Sequence, residues 1–257
     1  MEFFIDLDER SQCDLELLLN GSFYPLTGFM EQEDYLSSCK SMRLQTGELW
    51  PVPVCLPISQ KIKDEIGQLA PGRLIILRSQ QNLPLAQMLN WSLFKPDLEQ
   101  EFQQVVGTRE ASHPYCKRMR LLGPVWYLGG RTEALNPVPH SDFRQYRHTP
   151  HELKTWFQTQ GWTKIIAFQT RNPMHRCHVE LTKRCLAQIG SDARLLINPA
   201  CGPTQEEDVD GFTRVRCYEK ILKYYPEGQV HLSLLQLSMR MAGPREALWH
   251  ALIRQNL

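Results

Sequence analysis

Arg171, Asn172, His175 and His178 stand within one short run, Gln169-Thr170-Arg171-Asn172-Pro173-Met174-His175-Arg176-Cys177-His178. An arginine supplies a fixed, permanently charged fork that grips a tetrahedral oxyanion through two hydrogen bonds. Histidines spaced three apart project from the same side of a helix, one turn above the other. In that arrangement they donate hydrogen bonds to phosphate oxygens as charge develops on them. Two other readings of the pair stay open. One histidine can be packed and the other solvated, since Met174, His178, Leu181 and Cys185 share a stripe. The pair can also chelate a metal with Cys177 or Cys185 nearby, although zinc sites want three or four converging ligands and the chain shows no second cluster. The run holds no carboxylate base, and the chain has neither a phosphate-binding P-loop nor a GxSxG nucleophile elbow. The eight cysteines offer no nucleophile with a base at a motif spacing, so covalent catalysis has no support.

Such residues need a frame that points them at one ligand. The run follows an apolar β-branched stretch, Lys-Ile-Ile-Ala-Phe at 164 to 168, and precedes an amphipathic pattern ending near Gly190. Asn172 before Pro173 predicts a helix start, with Asn as N-cap and Pro at the first helical position. A strand handing over to a helix at the carboxyl edge of a parallel sheet is the usual ligand crevice of open α/β folds. The helix end adds backbone N–H groups and a positive dipole.

From His151 the pattern alternates helix and strand: a helix closed by Gly161, the strand at 164 to 168, the long helix to Gly190, a strand ARLLINP, a helix stopped by Pro226, a strand QVHLSLLQL and a last helix from Pro244. Repeated β-α units imply a parallel sheet covered by helices. Before about residue 150 the chain reads as mainly β. Short apolar runs at 50 to 59, 72 to 79, 83 to 89 and 123 to 130 are bounded by Pro, Gly or polar turns, with helical patches at CDLELLL and PDLEQEFQQVV, the latter closed by Gly107. Prolines 51, 53 and 57 make the first run an edge or irregular strand. His113 reads as a loop histidine beside a proline. The expected division is two domains, 1–145 and 146–257.

A net charge of +1 gives no general attraction for nucleic acid or an acidic membrane, so an anionic ligand must be held locally. Hydrophobic residues at 42% and charged residues at 22% indicate a globular class. Eight scattered cysteines without a CxxC pair read as free thiols. With no apolar run of about 18 residues and no signal-peptide pattern at the start, the expected location is the cytoplasm.

The run QTRNPMHRCH followed by ELTKR resembles the signature of the ATP sulfurylase (sulfate adenylyltransferase) family. LLLNGSFYPLTGFM, GTREASHP, DGFTRVRCYE and MRMAGPREALWHALIRQN look like further segments of that family. The resemblance implies an α/β class: a β-rich PUA-like N-terminal domain followed by a Rossmann-like nucleotidyltransferase domain of the HUP type. It assigns Gln169, Thr170, Arg171 and Asn172 to ATP, Gln169 and Arg171 also to sulfate, and Thr170, Arg171, Asn172, His175 and His178 to catalysis. The implied reaction moves AMP from MgATP to sulfate, giving adenylyl sulfate (APS) and pyrophosphate, or the reverse. Mg2+ would enter with ATP, and the protein would hold no metal of its own. Implied partners are these small molecules, with neither nucleic acid nor membrane, and a homo-oligomer or a complementing C-terminal segment. The sequence departs from the family in three places. Val179 stands where an acidic residue is common, CGPTQEED (201 to 208) lacks a basic residue, and the chain ends at Leu257 before the Gly-Arg-Asp-His-Ala segment. The expectation is therefore an incomplete catalytic domain. The competing functions are a module that binds nucleotide without turnover and, more remotely, an RNA-binding module through the PUA-like half.

Overall fold

The computed structural model describes residues 2–69, 73–203 and 208–257. Gly72 of the second apolar run and the middle of CGPTQEED lie outside the described residues. The contacts divide the chain into two compact units, Met1–Pro139 with Arg240–Asn256, and His140–Met239 with Leu257.

The first unit is built on β1 (Phe3–Asp6), β2 (Gly28–Phe29), β3 (Leu56–Ser59), β4 (Ile75–Arg78), β5 (Pro84–Phe94) and β6 (Val125–Ala134). Their order is β1-β4-β5-β6-β2, with β3 also paired to β6; β1 runs parallel to β4 and the other pairs are antiparallel. A Cβ on Gly129 would fall 2.4 Å from the Met30 carbonyl, so the chain after β2 approaches β6 this closely only because that position is glycine.

This unit holds more helix than its pattern suggested: α1 (Glu9–Leu19), α2 (Gln32–Ser41), α3 (Gln60–Ile66), α4 (Leu98–Glu101) and α5 (Pro114–Leu121). The predicted helix at PDLEQEFQQVV is α4 continued by a π-helical turn, Phe102–Val106, and Gly107 closes it in the left-handed region (φ 77). His113 caps α5, and its Nε2 lies 3.1 Å from the Met241 carbonyl. In the core, the buried Glu101 carboxylate accepts from the hydroxyls of Tyr35, Tyr115 and Tyr127 at 2.9, 2.5 and 2.9 Å. Burial raises the Glu101 pKa, against the opposing pull of the three hydroxyls.

The second unit has α6 (Pro150–Thr159), β7 (Lys164–Phe168), α7 (Arg176–Ile189), β8 (Ala193–Ile197), α8 (Gly211–Leu222) and β9 (Val230–Leu232). Its strands pair in parallel in the order β7-β8-β9. Side-chain alternation splits them between two faces. Leu195 and Ile197 of β8, with Ile166, Phe168 and Leu232, join Leu186 of α7 and Val215 and Tyr218 of α8. Leu196 faces the other way and packs with Leu153, Phe157 and Trp162 of the α6 region. β7, like β9, is an outer strand among the described residues, and its Ile165 stays 37% exposed.

Thr149 closes a capping box with Glu152 at the head of α6, and Gly161 (φ 67) follows its end as the sequence suggested. The QVHLSLLQL strand shortens to three paired residues. The last helix, α9 (Gly243–Gln255), groups with the first unit rather than following the β-α pattern. There Trp249 lies 5.2 Å from the Phe23 ring and 6.4 Å from Trp50, and buried Arg240 pairs with buried Asp14 at 2.5 Å.

Candidate active site

The residues singled out by type and spacing all lie where β7 gives way to α7. Past Phe168 the chain stays tied to the extension of β8. The N–H of Asn198 donates to the Phe168 carbonyl and that of Ala200 to the Thr170 carbonyl, both at 2.9 Å. Gln169 and Thr170 are half-buried in this stretch. The loop then folds on Thr170, whose Oγ1 accepts from the Asn172 N–H at 3.3 Å and donates to the Asn172 carbonyl at 2.8 Å. Asn172 itself is exposed.

The structure corrects the predicted helix start. α7 begins at Arg176 with His175 as its N-cap, not at Pro173 with Asn172. An N-cap carbonyl must accept the first intrahelical bond. That of Asn172 is engaged by Thr170 and by the Tyr218 hydroxyl at 2.9 Å, whereas that of His175 takes the N–H groups of His178 and Val179 at 3.0 and 3.2 Å.

His175 is therefore extended (φ −88, ψ 170) and exposed, and only His178 sits on the helix, half-buried. The rings are 5.8 Å apart. The His175 N–H donates to Nδ1 of His178 at 3.0 Å. An accepting Nδ1 leaves the neutral ring's proton on Nε2, so His178 presents a donor from its far side. The first turn of α7 carries no acidic residue and opens on Arg176, so its dipole is left for an outside anion to satisfy.

Arg171 is three-quarters buried, and its Nε lies 3.8 Å from Oδ2 of Asp208, a carboxylate only 9% exposed. An anion on the Arg171 fork meets this carboxylate. Beneath the loop, α8 supplies two groups that motif reading passed over. Arg214, 4% exposed, donates from Nη1 to the carbonyls of Arg171 and Ala200 at 2.8 and 3.3 Å. Tyr218, one turn on and fully buried, donates to Asn172, and burial pushes its pKa up. Their spacing of four within DGFTRVRCYE was the readable signal, since it places both on one helix face. Asp208 carried no such signal.

Burial holds the Cys201 thiol up at about 11, which removes it as a nucleophile near neutral pH. Among the described residues no three His, Cys, Asp or Glu side chains gather where they could hold a metal ion. None of the helices there is long and apolar enough to cross a membrane. The site thus gathers arginines, imidazoles and a helix terminus, with the Asp208 carboxylate facing Arg171.

Both halves of the chain have matches among known proteins. The PUA-like domain model matches residues 3–137 and the ATP-sulfurylase model residues 144–257. Sulfate adenylyltransferase of Schizosaccharomyces pombe is 46% identical over 253 residues, covering 98% of this chain and 51% of its own. That of Aspergillus fumigatus is also 46% identical over 253 residues, with 98% and 43% covered. The chain thus spans about half the length of the curated relatives it matches. Among solved structures, a hexameric APS kinase from Thiobacillus denitrificans superposes with a TM-score of 0.80 at 30% identity, over 99% of this chain and 45% of that one. The two matched models and the near-complete alignment place residues 144–257, a parallel α/β domain, in the ATP-sulfurylase family, after a PUA-like domain over residues 3–137.

Proposed function

We propose that this chain carries an ATP- and sulfate-binding site of a sulfate adenylyltransferase and takes part in the transfer of AMP between MgATP and sulfate. The carrying observation is the Gln169–Asn172 loop at the carboxyl end of a parallel strand, leading into a helix whose first turn offers Arg176 and the Nε2–H of His178. A sulfate oxygen attacks the α-phosphorus, the bond to the β-phosphate oxygen breaks, and pyrophosphate leaves. No group on the protein is covalently used. Mg2+ arrives on the phosphates of ATP, which is how this ion ordinarily enters such sites. Arg171 then neutralises sulfate, Gln169 orients it, Thr170 and Asn172 position the nucleotide, and His175 and His178 donate to phosphate oxygens as charge builds. The reverse direction uses the same contacts. Free cysteines at all eight positions accord with a reducing, cytoplasmic setting. The hexameric neighbour supports an oligomeric assembly.

The test is pyrophosphate release from MgATP that depends on added sulfate. No release by this chain, alone or with a complementing C-terminal segment, overturns the proposal. A second reading is a module that binds nucleotide without turning it over. The Asp208 carboxylate beside Arg171 favours it by discouraging sulfate. Calorimetry would then show ATP binding with no turnover.

A further inference from the structure

We propose that Arg214 and Tyr218 of α8 are positioning residues of the site, dividing the catalytic loop between sulfate and nucleotide. The inference rests on the adenylyl-transfer reading above. Arg214 is 4% exposed, and no carboxylate of the described residues lies within ion-pair distance of it. Burying a guanidinium without a close ion pair is expensive even though its charge is felt at Asp210, so its hydrogen bonds carry part of the compensation. Those bonds go to two main-chain carbonyls, Arg171 at 2.8 Å and Ala200 at 3.3 Å, while its Nε has no hydrogen-bond partner. Arg214 thus clamps the loop after β7 to the loop after β8 at the residue whose side chain is assigned to sulfate. It also keeps a positive charge beneath the place where two anions must meet.

Tyr218 makes the matching contact one residue on. Its hydroxyl donates to the Asn172 carbonyl at 2.9 Å, the residue assigned to nucleotide, and it also interacts with the Thr170 side chain. The same contact prevents Asn172 from capping α7 and so sets where the helix begins. One helix face therefore fixes two neighbouring peptide units, one under Arg171, which alone of the two is assigned to sulfate, and one under Asn172, assigned to nucleotide only. A one-ångström error in such positioning is enough to cost large factors in rate.

The experiment measures KM for sulfate and for ATP separately, in the full chain and with the unaltered protein as reference. Arg214→Gln should raise the sulfate KM about tenfold or more while leaving the ATP KM within about twofold, as expected for loss of a buried charged hydrogen bond under one ligand. Tyr218→Phe, which removes one oxygen, should do the reverse, raising the ATP KM several-fold. Should Arg214→Gln lose its folded circular-dichroism signal, Arg214→Lys carries the same expectation, because lysine keeps the charge and lacks the fork. Equal rises in both KM values for either variant, or an unchanged sulfate KM in a folded Arg214 variant, overturn the assignment. Absence of sulfate-dependent turnover in the unaltered chain is a separate failure. It defeats the proposed function before any variant is made.

Discussion

Two histidine pairs lie on opposite faces of the second unit's three-stranded sheet, and their fates differ. His148 and His231 have rings 5.1 Å apart; His175 and His178 have rings 5.8 Å apart. Yet the first pair belongs to an aromatic cluster. His231 stacks on Trp156 at 3.9 Å, its Nε2 has no hydrogen-bond partner, and burial lowers its pKa to about 4. His148 is lowered by burial too and lies 3.3 Å from the Ser233 hydroxyl. The second pair sits at a helix N-terminus, with one ring exposed and the other accepting a backbone N–H at Nδ1. Proximity of two imidazoles does not make an anion site. On the function proposed here, what does is a backbone that presents N–H groups with an arginine beside them.

The largest effect that could break this contrast is at Arg171. Arg171→Ala should lower sulfate-dependent pyrophosphate release by about a thousandfold, the scale of an arginine acting on transferring phosphoryl groups, and should reduce sulfate use far more than nucleotide affinity. Equal loss of both would contradict the role given to it. Next come the rings themselves. His178→Phe should cost about a hundredfold in kcat, the usual cost of one lost donor to developing charge, with little change in melting temperature. His231→Phe, which keeps the stack and removes an unsatisfied nitrogen, should leave kcat unchanged. If both lose activity alike, the contrast fails.

A smaller effect separates the pairs by pH. His148 and His231 have folded pKa values below the ordinary 6.5, His231 at about 4, so the unfolded chain binds protons first as pH falls. Their contribution to stability is complete above about 6.5 and is lost as pH falls toward about 4. The melting temperature should therefore decline by a few degrees across that window, and His231→Phe should flatten the decline. A profile identical to the unaltered chain would show that His231 does not titrate there. The smallest effect belongs to Asp208. Asp208→Asn removes the carboxylate 3.8 Å from Arg171 and should tighten sulfate binding about two- to fivefold. A weaker sulfate site would instead make Asp208 a support for the arginine.

Local pattern made most of the site legible. The β-branched run, the polar loop and the amphipathic stretch after it follow one another without a break from 164 to 190, and they place Gln169, Thr170, Arg171, Asn172, His175 and His178 where β7 meets α7. The same local logic located β8, the end of α6 before Gly161 and the close of the helix at Gly107. It misjudged α2, α3 and α5, which sit among proline-broken strands and lack a long apolar stripe.

Sequence alone thus determined the chemistry available, because residue type sets charge and hydrogen-bonding capacity and periodicity sets the strand and helix around it. Only tertiary structure decided three things. α7 opens at His175 because Tyr218, forty-six residues away in the chain, takes the Asn172 carbonyl. Arg171 faces Asp208, and α9 groups with the first unit through Trp249 and its neighbours. Each depends on groups far apart in sequence competing for the same carbonyl, charge or apolar surface, and such competition is settled only when the chain is folded.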